Sequence, residues 1–177
     1  MKLSWQTSLH QTLNQFKNDT SDLPRVAIVG IGNPLRNDDA AGLLVARKLL
    51  QRECAADVDH LLVIEAGHAP ENVTGELRNF RPELIILIDA ADMRAEPGTI
   101  SWVPIQSIEG ISASTHSLPL SMLARYLTLE LNCAVVLIGI QPISTEVGEE
   151  VSVTVLNAIQ EIVEEMLQTC ATIKMLV

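Results

Sequence analysis

The chain has 177 residues, of which 47% are apolar, and carries a formal net charge of −10. That length fits one domain, and that apolar share is enough for a core, which excludes a disordered chain. The acidity, with no basic cluster anywhere, argues against nucleic acid as a partner, and no apolar run approaches the roughly 20 residues that cross a bilayer. Aromatics make up only 3%, so the core has to be built from Leu, Ile, Val and Ala. Cys54, Cys133 and Cys170 are far apart, odd in number and form no Cys-x-x-Cys pair. With no secretory signal in view, they point to a reducing, cytoplasmic setting.

Trp5, Leu9, Leu13 and Phe16 recur at helical spacing ahead of a polar break. Residues 1–22 therefore predict an amphipathic helical appendage on a single domain spanning 1–177. Residues 26–31 are apolar and rich in β-branched side chains, as expected of a strand buried on both faces of a parallel sheet. Gly30, Gly32, Asn33 and Pro34 break the run, and Asp38 and Asp39 stand at the entry to a helix over residues 40–53. Its inner face is expected to hold Leu43, Leu44, Ala46 and Leu50. A short strand over 61–65 and a loop over 67–71 follow. Residues 84–89 form the clearest buried strand, closed by Asp89. Pro97 and Gly98 turn the chain into a strand over 99–103, antiparallel at an edge. A helix over 118–131 has Ser117 as N-cap and Pro119 in its first turn. A buried strand over 134–139 and a terminal helix over 149–169 complete the chain. Strands alternating with helices imply a three-layer α/β/α sandwich on a largely parallel, mixed, twisted sheet.

If the strands before Asp39 and Asp89 are neighbours, both carboxylates stand on one rim, the usual ligand site of open α/β sheets. His116, just ahead of a helix, can reach the same rim. Two carboxylates and an imidazole suit Ni²⁺, Zn²⁺ or Mn²⁺, and equally suit general acid–base work. Against this, an aspartate after a strand often only caps the next helix, which is the expected main role of Asp38. The glycine turn lacks the third glycine of a dinucleotide fingerprint and no Gly-Lys-Ser/Thr follows. His-Glu-x-x-His and Gly-x-Ser-x-Gly are also missing.

Five ordered blocks carry a resemblance. They are Gly30-Ile-Gly-Asn-Pro-Leu-Arg-Asn-Asp-Asp-Ala-Ala-Gly42, Glu65-Ala-Gly-His-Ala-Pro-Glu-Asn72, Leu87-Ile-Asp-Ala-Ala-Asp-Met93 with Pro97-Gly98, Thr115-His-Ser-Leu-Pro-Leu120, and Ile138-Gly-Ile-Gln-Pro142. Together they resemble the hydrogenase maturation endopeptidases, and most closely the hydrogenase-3, or formate hydrogenlyase, branch. The resemblance implies an aspartic-type endopeptidase that removes the C-terminal extension of a [NiFe] hydrogenase large-subunit precursor after nickel insertion. It implies Asp39, Asp89 and His116 as metal contacts, with Asp39 and Asp89 also catalytic. Glu65 and Asn33 are assigned to substrate binding. The nickel would be carried by the substrate hydrogenase rather than held permanently, and the enzyme would act as a cytoplasmic monomer without membrane or nucleic acid. Two departures stand out. Ala40 replaces a glycine, which would strain a left-handed backbone, and Glu65 replaces an aspartate. They leave a second reading, a non-catalytic nickel-dependent checkpoint or chaperone that binds the precursor without cutting it. Peptidyl-tRNA hydrolase shares the Gly-x-Gly-Asn-Pro turn but needs a basic face and an early His-Asn pair, and this chain has neither.

Overall fold

A computed structural model describes residues 3–19, 24–52, 59–108, 112–113, 119–148 and 150–175. The chain order is α1 (Trp5–Asp19), β1 (Val26–Ile31), α2 (Ala41–Gln51), β2 (Leu61–Gly67), α3 (Thr74–Phe80) and β3 (Leu84–Asp92). Then come β4 (Ile100–Pro104), the two-residue β5 (Ser112–Ala113), α4 (Leu120–Leu131), β6 (Ala134–Ile140) and α5 (Val153–Met175). The sheet order is β2-β1-β3-β6-β4, with β5 paired to the end of β3. β1, β2, β3 and β6 run parallel, while β4 joins β6 antiparallel at the edge.

Strand alternation divides the core into two layers. Val26, Ile28, Ile86, Ile88 and Ile138 pack on one face with residues of α1, α2 and α5. Val29, Ile85, Leu87, Val135 and Leu137 pack on the other with residues of α3 and α4. The three-layer sandwich with its mixed, mostly parallel sheet is as the sequence predicts. α1 buries Trp5 and Leu9. The Trp5 indole N–H donates to Glu161 at 2.9 Å, and His10 lies 2.7 Å from Glu165, so α1 is fastened to α5 by polar as well as apolar contacts. Among the described residues no helix is long and apolar enough to cross a membrane.

Several boundaries differ from the sequence reading. α2 starts at Ala41 because residues Asn37–Ala40 form a 3-10 turn. Leu43 and Ala46 are buried on its inner face as expected, joined by Val45 and Leu49, while Leu44 is half-buried and Leu50 is exposed. β3 does not close at Asp89: it runs on to Asp92, with Asp89 opposite Gly139 and Ala91 opposite Ala113. α5 starts at Val153 rather than 149 because the Ser152 hydroxyl accepts the Val155 N–H, a helix-capping contact. α4 starts at Leu120 after Pro119, and Ser117 lies outside the described residues. α3 has no counterpart in the sequence reading. Cys133 is a free buried thiol, whereas Cys170 is disulfide-bonded, and sequence spacing says nothing about such proximity. Cys54 lies outside the described residues.

Candidate active site

β1 and β3 are immediate neighbours, in register from Val26↔Leu84 to Gly30↔Ile88. Asp89 follows directly on the last pair, so it stands at the rim where β1 ends. Two glycines bring Asp39 there. Gly32 has φ +144°, and a Cβ on it would lie 2.0 Å from the Asp39 carbonyl oxygen. No other residue combines that backbone with that approach. At Gly42 a Cβ would lie 1.9 Å from the Ile88 carbonyl oxygen and 2.5 Å from that of Ile31. The start of α2 is thus seated on the ends of β1 and β3, and the 3-10 turn carrying Asp39 folds over β1. Asp39 and Asp89 are both completely buried. Alternation along β3 places Asp89 on the same face as Leu87 and Ala91.

Asp39 Oδ2 accepts the backbone N–H of Asn33 at 3.2 Å. The Asn33 side chain accepts the Leu35 N–H at 3.0 Å, so it shapes the loop through a local Asx-type turn while its own N–H orients Asp39. Asp38, also fully buried, makes no cap to α2. Its carboxylate instead accepts Ile143 N–H at 2.8 Å, Ser152 N–H at 2.7 Å and the Ser152 hydroxyl at 3.0 Å. The expectation of a helix cap is corrected: Asp38 ties the turn after β1 to the segment between β6 and α5. Further strings run the same way, from Asp38 N–H to Ser144 O at 3.2 Å and from the Arg36 guanidinium to Thr145 O at 3.1 Å.

Ala40 sits at φ −73°, ψ −7°, an ordinary right-handed conformation. The strain expected there from its replacing a glycine is therefore absent. The left-handed residue is Asn37, at φ 38°, a type that tolerates this region. Glu65 is exposed at the end of β2, and its Oε2 accepts both Nε and Nη2 of Arg47 at 3.1 and 3.0 Å. His116 lies outside the described residues. Among the described residues no group of three His, Cys, Asp or Glu side chains is placed to hold a metal ion.

One residue of the site region was not singled out by the sequence reading. Gln141, buried at the end of β6, accepts Met93 N–H at 2.7 Å and Ala95 N–H at 3.2 Å through Oε1, and its Nε2 donates to Asp92 at 3.3 Å. It braces the loop that follows β3. The Arg94 N–H, and next the Gln141 amide, hold the exposed Asp92 carboxyl below its ordinary value. The available signal was a lone polar residue at the end of an apolar strand and just before a proline.

Two buried carboxylates at the rim of adjoining strands in an α/β sandwich suit metal contact or acid–base chemistry on many substrates. Comparison with known proteins narrows the choice. Residues 43–169 match the family profile HycI, hydrogenase maturation protease, a stretch that takes in Asp89 but begins after Asp39. A Methanocaldococcus jannaschii protein provisionally named a hydrogenase maturation protease is 34% identical over 164 residues, covering 87% of this chain and 95% of its own length. The hydrogenase 3 maturation protease of Escherichia coli K12 is 36% identical over 113 residues, 63% of this chain and 69% of that protein. The crystal structure of a [NiFe] hydrogenase maturation protease HycI from Thermococcus kodakarensis superposes with TM-score 0.74 at 33% identity, over 84% of this chain and 93% of that one. The chain belongs to the hydrogenase maturation protease family.

Proposed function

We propose that this chain is the endopeptidase that removes the C-terminal extension of a [NiFe] hydrogenase large-subunit precursor once nickel has been inserted. The observation that carries this reading is the complete burial of Asp39 and Asp89 at the carboxyl rim of the adjoining strands β1 and β3. In a site shielded from water, carboxylates attract a cation far more strongly than at the surface. The nickel belongs to the substrate, and Asp39, Asp89 and His116 would read its presence. Carboxylate and imidazole donors suit a borderline metal ion. Without the ion, the two anionic groups lose the partner that favours docking.

Hydrolysis needs a base to take a proton from the attacking water and an acid to hand one to the leaving amine. Asp39 and Asp89 are assigned these roles. The Asn33 N–H donates to one oxygen of Asp39 and so orients the carboxylate. Asn33 positions Asp39 through its own N–H while its side chain holds the loop through Leu35 N–H. Ala40, lying in an unstrained conformation, gives no ground for preferring the non-cutting checkpoint. The test uses Asp39→Asn and Asp89→Asn with a nickel-loaded precursor. Both variants should keep the far-UV spectrum of the parent and leave the precursor mass unchanged. Processing at the parent rate by either variant would overturn the assignment of that residue.

A further inference from the structure

Among the described residues β4 pairs only with β6, so its other edge is the outer edge of the sheet as described. The Gln141 N–H donates to Thr99 O at 2.9 Å, and the register continues through Ser101↔Gly139 and Val103↔Leu137. In an antiparallel ladder hydrogen-bonded pairs alternate. Ser101 and Val103 therefore bond inward, and Ile100, Trp102 and Pro104 turn their peptide groups outward. Ile100 and Trp102 each offer an N–H and a C=O, and Pro104 offers only a C=O. A proline at this place ends the row and prevents indefinite edge pairing. A cleft of about 530 Å³ adjoins β4, lined by Asp92 at the end of β3, by Met93 and Arg94 after it, and by Ser101, Trp102 and Ser107. Gln141 fixes its upper wall through the contacts with Met93 and Ala95.

We infer that the outer edge of β4 receives the C-terminal extension of the substrate, which adds to the sheet as an extra strand. The inference rests on the protease reading above. Outward N–H and C=O groups at alternate residues call for an extended main chain rather than a folded surface. Of the precursor, the extension is the part that ends freely and can straighten, whereas the part before the cut carries the metal within a fold. The cleft begins at Asp92, three residues past Asp89 on the same strand, so chain leaving the cut enters it. The outer side of β4 lies three strand spacings from β3, about 14 Å, which an extended chain crosses in about four residues. Pairing thus starts near the fourth residue after the cut. Main-chain pairing also makes this part of recognition tolerant of the extension's sequence.

Amide hydrogen exchange tests this on the full chain carrying Asp39→Asn, mixed with the nickel-loaded large-subunit precursor from the same source. In the free protein Ile100 and Trp102 should exchange fast and Ser101 and Val103 slowly. With precursor, Ile100 and Trp102 should slow at least tenfold. They should stay fast with a precursor whose extension is shortened to three residues after the cut. Ile100→Pro removes one outward donor without touching the bonds to β6, and should raise KM severalfold, up to about tenfold, with kcat kept. If the unsubstituted chain cleaves the precursor while Ile100 and Trp102 stay fast, or protection falls on β2 instead, the edge-strand inference is wrong and the protease reading stands. If there is neither cleavage nor protection, the protease reading fails and this inference falls with it.

Discussion

Replacing Asp38 by alanine should destabilise the protein by about 3–5 kcal/mol, because it leaves several buried donors unpaired at a cost of about 1–3 kcal/mol each. The carboxylate is fully buried and accepts three short bonds, from Ile143 N–H (2.8 Å), Ser152 N–H (2.7 Å) and the Ser152 hydroxyl (3.0 Å). Charge-assisted bonds of this kind contribute about 1.5–3 kcal/mol each, but the desolvation of the anion offsets part of their sum. The alanine variant leaves the donors of the segment between β6 and α5 without their buried acceptor. For a chain of this size 1 kcal/mol moves Tm by about 2–4 °C, so a fall of about 6–20 °C is expected. Thermal unfolding by circular dichroism measures it, and urea unfolding should move the midpoint at constant slope. Asp38→Asn, which keeps one acceptor oxygen, should lose about half as much. A Tm within about 2 °C of the parent for the alanine variant would refute the claim that Asp38 ties these segments together.

Gly32→Ala puts a Cβ 2.0 Å from the Asp39 carbonyl oxygen at φ +144°. It should abolish precursor processing and lower Tm, measured by intact mass and thermal unfolding, whereas an active, stable variant would contradict the geometry. Ala40→Gly should bring no gain in stability or processing and cost up to about 1 kcal/mol, because the position is already right-handed helical. Burial pushes the Cys133 thiol up to about 11 from 9.0, so native protein should be alkylated far more slowly at pH 8 than unfolded protein. Since the folded value is the higher one, Cys133 contributes stability that is fully present below pH 9 and lost as pH rises toward 11. Urea midpoints across that window should fall with pH, and less so in Cys133→Ser.

The sequence reading succeeded where local pattern and burial coincide. β1, β3 and β6 are continuous apolar runs because helices cover both faces of the sheet, and the two strands bearing the carboxylate rim proved to be neighbours. It failed where distant parts decide. Asp89 reads as the end of a strand, because an aspartate inside a buried strand breaks the pattern, yet the strand continues through it. Asp38 reads as a cap, since nothing local announces a partner 114 residues away. The start of α5 depends on that same contact, through Ser152. On α2 the inner face takes Leu49 rather than Leu50, which helical spacing from Leu43 and Ala46 leaves nearly equivalent. α3 has seven residues with Leu77 as its only buried one, too short for periodicity to register. Gln141 was hidden in a matched block because its role, bracing the loop after β3, exists only in three dimensions.

The most direct test of the central claim is the intact mass of a [NiFe] hydrogenase large-subunit precursor after incubation with this protein, nickel-loaded and nickel-free in parallel. The account predicts loss of one C-terminal peptide from the loaded precursor and an unchanged mass for the nickel-free one. An unchanged mass for the loaded precursor, despite binding, would contradict the assignment of an endopeptidase; equal shortening of both forms would contradict the reading of nickel by Asp39 and Asp89.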